Sequence, residues 1–173
     1  KLTEKPFGQI IAVIDGGGRG DALANKYLQS PNVSKVICIP GNDFMTRNPK
    51  IIIFPNVKTT EISQIKKICK EHKVDLIDVA QDDAVAAGVT DELQKAGFKV
   101  FGPTRLAGQI EWDKAWAREF MEKFHIPSPN FKICKSEVEG IKFIRKQKNN
   151  SWYVKASGLA AGKGALFAKD NNE

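Results

Sequence analysis

The chain has 173 residues and a formal net charge of +7, with 42% hydrophobic and 27% charged residues. These values suit a globular protein of one domain, or of one domain with part of a second, and they exclude a low-complexity protein. The longest apolar run, Ile10 to Ile14, is far too short to span a bilayer, so we expect no membrane partner and a cytoplasmic location.

Over residues 1–103, apolar runs alternate with segments of helical periodicity, which is typical of parallel βαβ units. Strand-like runs lie at 9–14, 35–39, 51–54, 74–79 and 98–101, and helices are predicted at 21–28, 61–72 and 84–96. Gly97 is expected to close the third helix, and Gly102-Pro103 ends the pattern. We therefore predict an α/β domain built on a parallel sheet.

The pattern changes at residues 104–129, because Glu111 to Phe124 forms one predicted amphipathic helix that His125 to Pro129 ends. Further strands are predicted at 130–134, 152–156 and 165–168, with a helix at 138–148 that Ser136 starts. We thus expect a helical linker at 104–129 and the opening of a second domain at 130–173. A unit of about forty residues rarely holds together alone, so the chain is expected to be a piece of a longer polypeptide.

The basic excess lies in residues 104–173, on stretches such as Lys142 to Lys148. Aromatic residues are not interleaved there in the way that stacks bases, so a solvated helix face is favoured over a nucleic-acid site. The three cysteines form no Cys-x-x-Cys pair, which disfavours a disulfide framework. Cys69 and His72 lie one helical turn apart, but no second pair completes a metal site, so none is expected.

Ile14 to Asp21 contains four glycines where the first predicted strand turns into a helix. At the carboxyl edge of a doubly wound sheet, such a turn presents helix N–H groups to an anion. The dinucleotide pattern Gly-x-Gly-x-x-Gly fails because Asp21 occupies its last position, so NAD binding is disfavoured. A tight connection that needs glycine only for packing is the alternative. Arg19, which could clamp a phosphate, favours a phosphorylated small molecule.

Two other segments fall at equivalent strand ends, Pro40-Gly41-Asn42 and Gln81-Asp82-Asp83. Ligands of open α/β sheets bind in the crevice at these ends. Asn42 could bind a ligand or hold a turn. Asp82 or Asp83 could bind an amine or a hydroxyl group, and either could cap the helix predicted from Ala84.

Lys155 to Gly164 joins a predicted strand to a loop that contains Gly158, Gly162 and Gly164. Backbone without Cβ atoms can approach an anion with several N–H groups, and Lys155 and Lys163 add positive charge. A flexible hairpin turn is the alternative, but it does not need two framing lysines. We therefore predict phosphate binding. The loop is not a Walker A motif, because Gly164 stands where that motif needs Ser or Thr.

Six short motifs follow one another along the chain, and the last is highly specific. They are Gly-Gly-Gly-Arg at 16–19, Pro40-Gly41-Asn42, Phe101-Gly102-Pro103, Asp113-Lys114-Ala115, Ile126-Pro127-Ser128 and Lys155 to Gly164. In this order they strongly resemble the glycinamide ribonucleotide synthetase family, over nearly the whole chain. The resemblance implies an ATP-grasp ligase of purine biosynthesis, in which a Rossmann-like, parallel-sheet (pre-ATP-grasp) domain at 1–103 is followed by the start of an ATP-grasp domain.

The resemblance also implies roles for individual residues. The residues implied to contact the phosphates of ATP, or to cover them as a loop, are Lys114, Lys155, Ser157, Gly158, Gly162, Lys163 and Gly164. Those implied to hold the phosphoribosyl substrate are Gly16, Gly17, Gly18, Arg19, Gly41 and Asn42, with Asp82 as a further candidate from its strand end. The chain departs from the family's pattern at Gly20-Asp21, usually Glu-His, at Ala80-Gln81-Asp82, usually Gly-Pro-Glu, and at Ser157, commonly Asp.

The implied reaction is ATP-dependent amide formation between glycine and phosphoribosylamine, through an acyl phosphate of glycine. The implied cofactors are ATP and Mg²⁺, with the acidic metal ligands expected beyond residue 173. No catalytic residue is therefore assigned within the chain, which is expected to be inactive without the remainder of the same polypeptide. Two alternatives stay open: a different ATP-grasp carboxylate–amine ligase, and a non-catalytic module that binds a nucleotide or a ribosyl phosphate.

Overall fold

The computed structural model describes residues 8–148, 151–160 and 163–171. The chain divides into two compact units, Lys1–Gly108 and Gln109–Glu173. Among the described residues, no helix is both long enough and apolar enough to cross a membrane.

The first unit is built on a five-stranded parallel sheet. Its strands are β1 (Gln9–Ile14), β2 (Val33–Cys38), β3 (Ile51–Ile53), β4 (Leu76–Val79) and β5 (Val100–Phe101). The helices that alternate with the strands are α1 (Gly18–Tyr27), α2 (Ile62–Glu71), α3 (Asp82–Ala86) and α4 (Val89–Lys95), with a 3-10 helix at Asp43–Arg47. Helix α5 (Arg105–Trp112) follows β5 and includes the boundary between the two units. The strand order is β3-β2-β1-β4-β5, so β1 lies at the centre. The predicted α/β fold with a parallel sheet is confirmed.

Apolar side chains on both faces hold this sheet together. Ile11 to Ile14 of β1 and Val36 to Cys38 of β2 are at most 2% exposed. On α2, Ile65, Ile68 and Cys69 are buried, at the spacing that predicted the inner face of this helix. Because helices cover a parallel sheet on both faces, its central strands need the continuous apolar runs that the sequence contains.

Two segments that were each predicted as one helix are divided in the structure. Residues 84–96 fall in α3 and α4, because Gly88 between them has φ +78°, a left-handed conformation that interrupts a helix. Residues 111–124 are divided at Asp113, whose backbone is extended and whose carboxylate accepts a hydrogen bond from the Trp116 N–H. Asp113 is therefore the N-cap of a new helix. Both single-helix predictions were wrong.

The second unit contains α6 (Lys114–Lys123), α7 (Glu137–Ile144) and an antiparallel pair, β6 (Trp152–Lys155) and β7 (Ala165–Ala168). Ser136 starts α7 as predicted, since its hydroxyl accepts a hydrogen bond from the Glu139 N–H at 3.3 Å. The strand predicted at 130–134 is not formed. In the described part of this unit β6 and β7 pair only with each other, so that apolar segment has no neighbouring strand to bond to.

The cysteines differ in their surroundings. Burial raises the pKa of the Cys38 and Cys69 thiols to about 12, and Asp21 and then Asp15 add to the shift at Cys38. Cys134 is exposed, and all three thiols are free.

Candidate functional site

The first glycine loop is organised around a buried carboxylate that directly follows β1. Asp15 is 0% exposed. Its Oδ1 accepts a hydrogen bond from the Gly17 N–H, and its Oδ2 accepts one from Arg19 Nε at 3.0 Å. Helix α1 already begins at Gly18, three residues earlier than predicted, so Arg19 lies in its first turn. Sequence reasoning had predicted a phosphate clamp at Arg19 and had missed its partner.

The glycines of this loop fall into two groups. A Cβ on Gly16 would lie 2.9 Å from Pro40 Cγ, and one on Gly20 would lie 2.8 Å from Asp15 Cβ, so packing alone requires glycine at both positions. A Cβ on Gly17 would lie 3.3 Å from Asp15 Oδ1. A Cβ on Gly18 would have no neighbouring atom within 4 Å. The backbone is thus open at Gly18, where the N–H groups at the start of α1 can receive an anion.

Loops at the carboxyl ends of β1, β2 and β4 meet at this point, as predicted from their positions. Asn42 Nδ2 donates to the Gly16 carbonyl at 2.9 Å, and Asn42 Oδ1 accepts a hydrogen bond from the Phe44 N–H at 3.0 Å. Arg19 Nη2 lies 3.3 Å from Gln81 Oε1 and 3.5 Å from Asp82 Oδ1. Asn42 therefore holds a turn, while Asp82 pairs with Arg19.

The prediction that Asp82 or Asp83 caps a helix from Ala84 was wrong. Helix α3 begins at Asp82 with Gln81 in the N-cap position, and no side chain caps it. Asp83 instead accepts hydrogen bonds from the Ala84 N–H and from Thr59 Oγ1, both at 2.7 Å. Its carboxylate is thus occupied by neighbours within the first unit.

An open cleft of about 490 Å³ lies at the ends of β4 and β5. Its lining includes Arg19, Asp78, Leu23, Phe101 and Pro103. The sheet order reverses between β1 and β4, and ligands of open α/β sheets bind at such a switch point. The cleft therefore combines a cation, a carboxylate and apolar walls at the expected edge of the sheet.

Asp78 is a buried acid on β4 that sequence reasoning did not single out. It is 3% exposed, and its Oδ2 accepts a hydrogen bond from Tyr27 Oη at 2.8 Å. Burial raises the pKa of Asp78, and Asp15 raises it further, while the Tyr27 hydrogen bond and Arg19 act in the opposite direction. Burial also raises the pKa of Tyr27 well above its ordinary value, with Asp78 adding to the shift. A charged residue inside the apolar run at 76–79 was the available signal.

Replacing Asp78 by Asn is expected to change how stability depends on pH. The pKa of Asp78 is higher in the folded protein than its ordinary value of 3.8. The protonated side chain therefore contributes fully to stability below pH 3.8, and this contribution is lost as the pH rises through the folded pKa. The variant has no such loss, and its amide oxygen can still accept the Tyr27 hydrogen bond. Urea unfolding at several pH values should show its free energy of unfolding increasing relative to wild type towards neutral pH.

Asp43→Asn is the control, because it removes an exposed carboxylate of the same unit. Its free energy of unfolding should follow that of wild type across this pH range. Parallel pH profiles of Asp78→Asn and wild type would contradict the expectation.

In the second unit, Ser157 of the second glycine loop is bonded to the start of α6. The Ser157 hydroxyl donates to Asp113 Oδ1 at 2.8 Å and accepts a hydrogen bond from the Ala115 N–H at 3.0 Å. Lys114 Nζ donates to the Gly158 carbonyl at 3.4 Å. The Trp116 N–H and then the Ser157 hydroxyl hold the pKa of Asp113 below its usual range. The structure thus brings together Lys114, Ser157 and Gly158.

The remaining residues of the second loop lie where the two strands end. Lys155 is exposed, with Nζ 5.7 Å from the centroid of the Tyr153 ring. The Ala156 N–H donates to the Gly164 carbonyl at 2.8 Å, so pairing continues beyond β6 and β7, and the Lys163 N–H donates to the Ala160 carbonyl at 2.8 Å. Gly158 has φ +88° with open space around it. Gly162 lies outside the described residues.

Family models match the chain from residue 9 to its last residue. The model described as phosphoribosylglycinamide synthetase, N domain, matches residues 9–111. The model described as phosphoribosylglycinamide synthetase, ATP-grasp (A) domain, matches residues 112–173.

Similar proteins cover nearly all of the chain. It is 39% identical over 159 residues to phosphoribosylamine–glycine ligase of Streptococcus suis, a match that covers 92% of the chain and 37% of that protein. The crystal structure of phosphoribosylamine–glycine ligase from Thermotoga maritima matches with a TM-score of 0.70 at 23% identity, covering 94% of the chain and 37% of that structure.

A further structural neighbour is the biotin carboxylase domain of Hydrogenobacter thermophilus 2-oxoglutarate carboxylase, solved in complex with MgADP, ADP and bicarbonate. It matches with a TM-score of 0.71 at 14% identity, covering 97% of the chain and 39% of that structure. At these identities both structural matches show the fold alone.

The chain spans 37% of the length of the relatives that it matches in sequence. Its N-domain match covers more than half of the 173 residues, and the family resemblance inferred from the six motifs is confirmed. The chain belongs to the phosphoribosylglycinamide synthetase family.

Proposed function

We propose that this chain is part of an ATP-dependent ligase that joins glycine to 5-phosphoribosylamine, through an acyl phosphate of glycine, in purine biosynthesis. Family membership carries the proposal, because the N-domain and ATP-grasp matches follow each other without a gap. The relatives similar to it are named phosphoribosylamine–glycine ligase. Its expected partners are small-molecule substrates and the rest of its polypeptide, in the cytoplasm, with neither nucleic acid nor membrane.

The phosphoribosyl substrate is proposed to bind at the first glycine loop. Open space at Gly18 supports this, because the N-terminus of α1 attracts an anion there. Arg19, whose side chain is 48% exposed, adds a cation that solvent and ligand can reach. The proposed supporting residues are Gly16, Gly17, Gly41, Asn42 and Asp82.

The phosphates of ATP are proposed to bind at the second glycine loop. The proposed residues are Lys114, Lys155, Ser157, Gly158, Gly162, Lys163 and Gly164. Exposed amines at Lys155 and Lys163 support this, since they flank a loop next to the start of α6. These groups fit a polyphosphate, because cations and backbone N–H groups are its usual partners.

Mg²⁺ is proposed to be held by acidic residues beyond residue 173. The described residues contain no group of three His, Cys, Asp or Glu side chains able to hold a metal ion. ATP, when bound, would supply the phosphoryl group that activates the glycine carboxylate. The lysines of this chain would neutralise charge on that group, a stabilisation that is strong where water is excluded.

The test is an assay of ADP release by the complete protein and by the 173-residue chain. We expect the complete protein to release ADP only when glycine and phosphoribosylamine are both present, and the chain to show no turnover. Turnover by the 173-residue chain would contradict the proposal that the reaction needs the rest of the polypeptide. ADP release with another amine would indicate a different carboxylate–amine ligase, and ATP binding without any turnover would indicate a non-catalytic module.

A further inference from the structure

We propose that Asp15 is a positioning residue for Arg19, and that its carboxylate sets where the guanidinium lies in the first glycine loop. The inference rests on the proposed function, in which Arg19 binds the phosphate of the ribosyl substrate. Asp15 itself is not proposed to touch the substrate.

Both carboxylate oxygens of Asp15 are used inside the loop. Oδ1 accepts a hydrogen bond from the Gly17 N–H, and Oδ2 accepts one from Arg19 Nε at 3.0 Å. In this ion pair the Asp15 side chain is 0% exposed and the Arg19 side chain 48% exposed. One end of the pair is thus buried and fixed, while the other is open to a ligand.

Two contacts of Arg19 at the end of β4 are longer than its contact with Asp15. Arg19 Nη2 lies 3.3 Å from Gln81 Oε1 and 3.5 Å from Asp82 Oδ1, and both partners are at the start of α3. Since charge-assisted hydrogen bonds weaken with distance, a phosphate would displace these contacts more easily than the one to Asp15. Asp15 therefore remains the anchor when the ligand binds.

Gly20 provides the space that Asp15 occupies. A Cβ on residue 20 would lie 2.8 Å from Asp15 Cβ and 3.0 Å from its Oδ1. No larger residue fits there while Asp15 keeps its place. Glycine at residue 20 thus has a physical reason: it leaves room for the carboxylate that holds Arg19.

A positioning role and a purely electrostatic role predict opposite results for Asp15→Asn. If Asp15 acted only by its charge, its removal would strengthen anion binding at Arg19, because a nearby negative charge would be lost. If Asp15 positions Arg19, the variant weakens binding. The Asn amide can still accept from the Gly17 N–H, but its NH₂ group then faces the Arg19 Nε–H, donor against donor.

The experiment measures binding of ribose 5-phosphate to the full chain by calorimetry. Asp15→Asn is expected to bind about tenfold more weakly than wild type, the loss of one charge-assisted hydrogen bond. In an Arg19→Ala background the same substitution should change binding by less than about twofold, because the residue through which it acts is absent. A merely structural role would weaken binding in both backgrounds.

Two further variants complete the test. Asp21→Asn removes a carboxylate of the same helix turn that pairs with Arg47, and it is expected to leave binding unchanged or slightly stronger. Gly20→Ala keeps every charge but displaces Asp15, so it should weaken binding, and it replaces Asp15→Asn if that variant does not fold.

The possible failures are distinguishable. Unchanged or tighter binding by Asp15→Asn, with a clear loss in Arg19→Ala, would overturn the positioning role and leave the proposed function standing. No binding of ribose 5-phosphate by wild type would overturn both.

Discussion

Replacing Lys155 by Met in the complete protein is expected to lower kcat/KM for ATP by about 100-fold. This is the usual effect of losing one preorganised protein group that stabilises the charge on a transferring phosphoryl group. Pairing of Lys155 with Ala165 fixes its backbone at the start of the second glycine loop. Its amine lies 5.7 Å from the Tyr153 ring centroid, within reach of a cation–π contact. Met keeps the unbranched shape and most of the length of the side chain, and it removes the charged amine. Initial rates at varied ATP, with glycine and phosphoribosylamine saturating, measure the effect.

Lys142→Met is the matched control, because it removes an exposed lysine from α7 in the same unit. It should leave kcat/KM for ATP unchanged. A comparable loss in both variants would point to overall charge, and a loss of less than about threefold in Lys155→Met would contradict a role in phosphate binding.

Replacing Gly41 by Ala is expected to lower the free energy of unfolding of the chain by about 3 kcal/mol, the combined cost of a left-handed backbone and of overpacking. Gly41 has φ +68°, and an added Cβ would lie 2.6 Å from Ile53 Cγ2 and 2.9 Å from Ile53 Cβ. Since Asn42 next to it bonds to the Gly16 carbonyl, the strain would reach the first glycine loop. Urea unfolding followed by circular dichroism measures the loss.

Gly97→Ala separates the two causes. Gly97 has φ +86°, but no atom lies within 4 Å of an added Cβ. This variant therefore carries only the cost of the left-handed backbone, roughly 1–2 kcal/mol. Equal losses in the two variants would show that the contact with Ile53 is not the reason for glycine at residue 41.

The parallel sheet could be predicted from the sequence because its signal is local. Buried strands such as β1 and β2 require continuous apolar runs, and the helices between them require apolar residues at a period of about 3.6 residues. The predicted end of a helix at Gly97 is likewise confirmed, since its φ is +86°. Features that arise within a few residues are thus available without a structure.

The breaks inside the two predicted helices could not be predicted from the local sequence. Gly88 and Asp113 both lie within stretches of helical periodicity, and either residue can occur inside a helix at modest cost. The breaks depend on the left-handed backbone that Gly88 adopts and on the N-cap hydrogen bond that Asp113 accepts, and the sequence pattern specifies neither. The strand predicted from the apolar alternation at 130–134 was also wrong, because a strand forms only where another strand bonds to it.

The candidate site shows the same limit. Positions at the ends of β1, β2 and β4 could be predicted, because parallel strands end at one edge of the sheet. The partners Asp15 and Asp78 were missed, since their effects depend on burial and on contacts with Arg19 and Tyr27. Roles of glycines also need coordinates: Gly16 and Gly18 look alike in sequence, yet only Gly18 has open space beside it.

The unequal surroundings of the three cysteines allow site-selective fluorescent labelling. Only a thiolate attacks maleimide, and thiols with a pKa of about 12 at Cys38 and Cys69 stay protonated and shielded at neutral pH. Exposed Cys134, which precedes α7, would accept the dye first. The 173-residue chain can therefore carry one fluorescent reporter in its second unit while all three of its cysteines are kept.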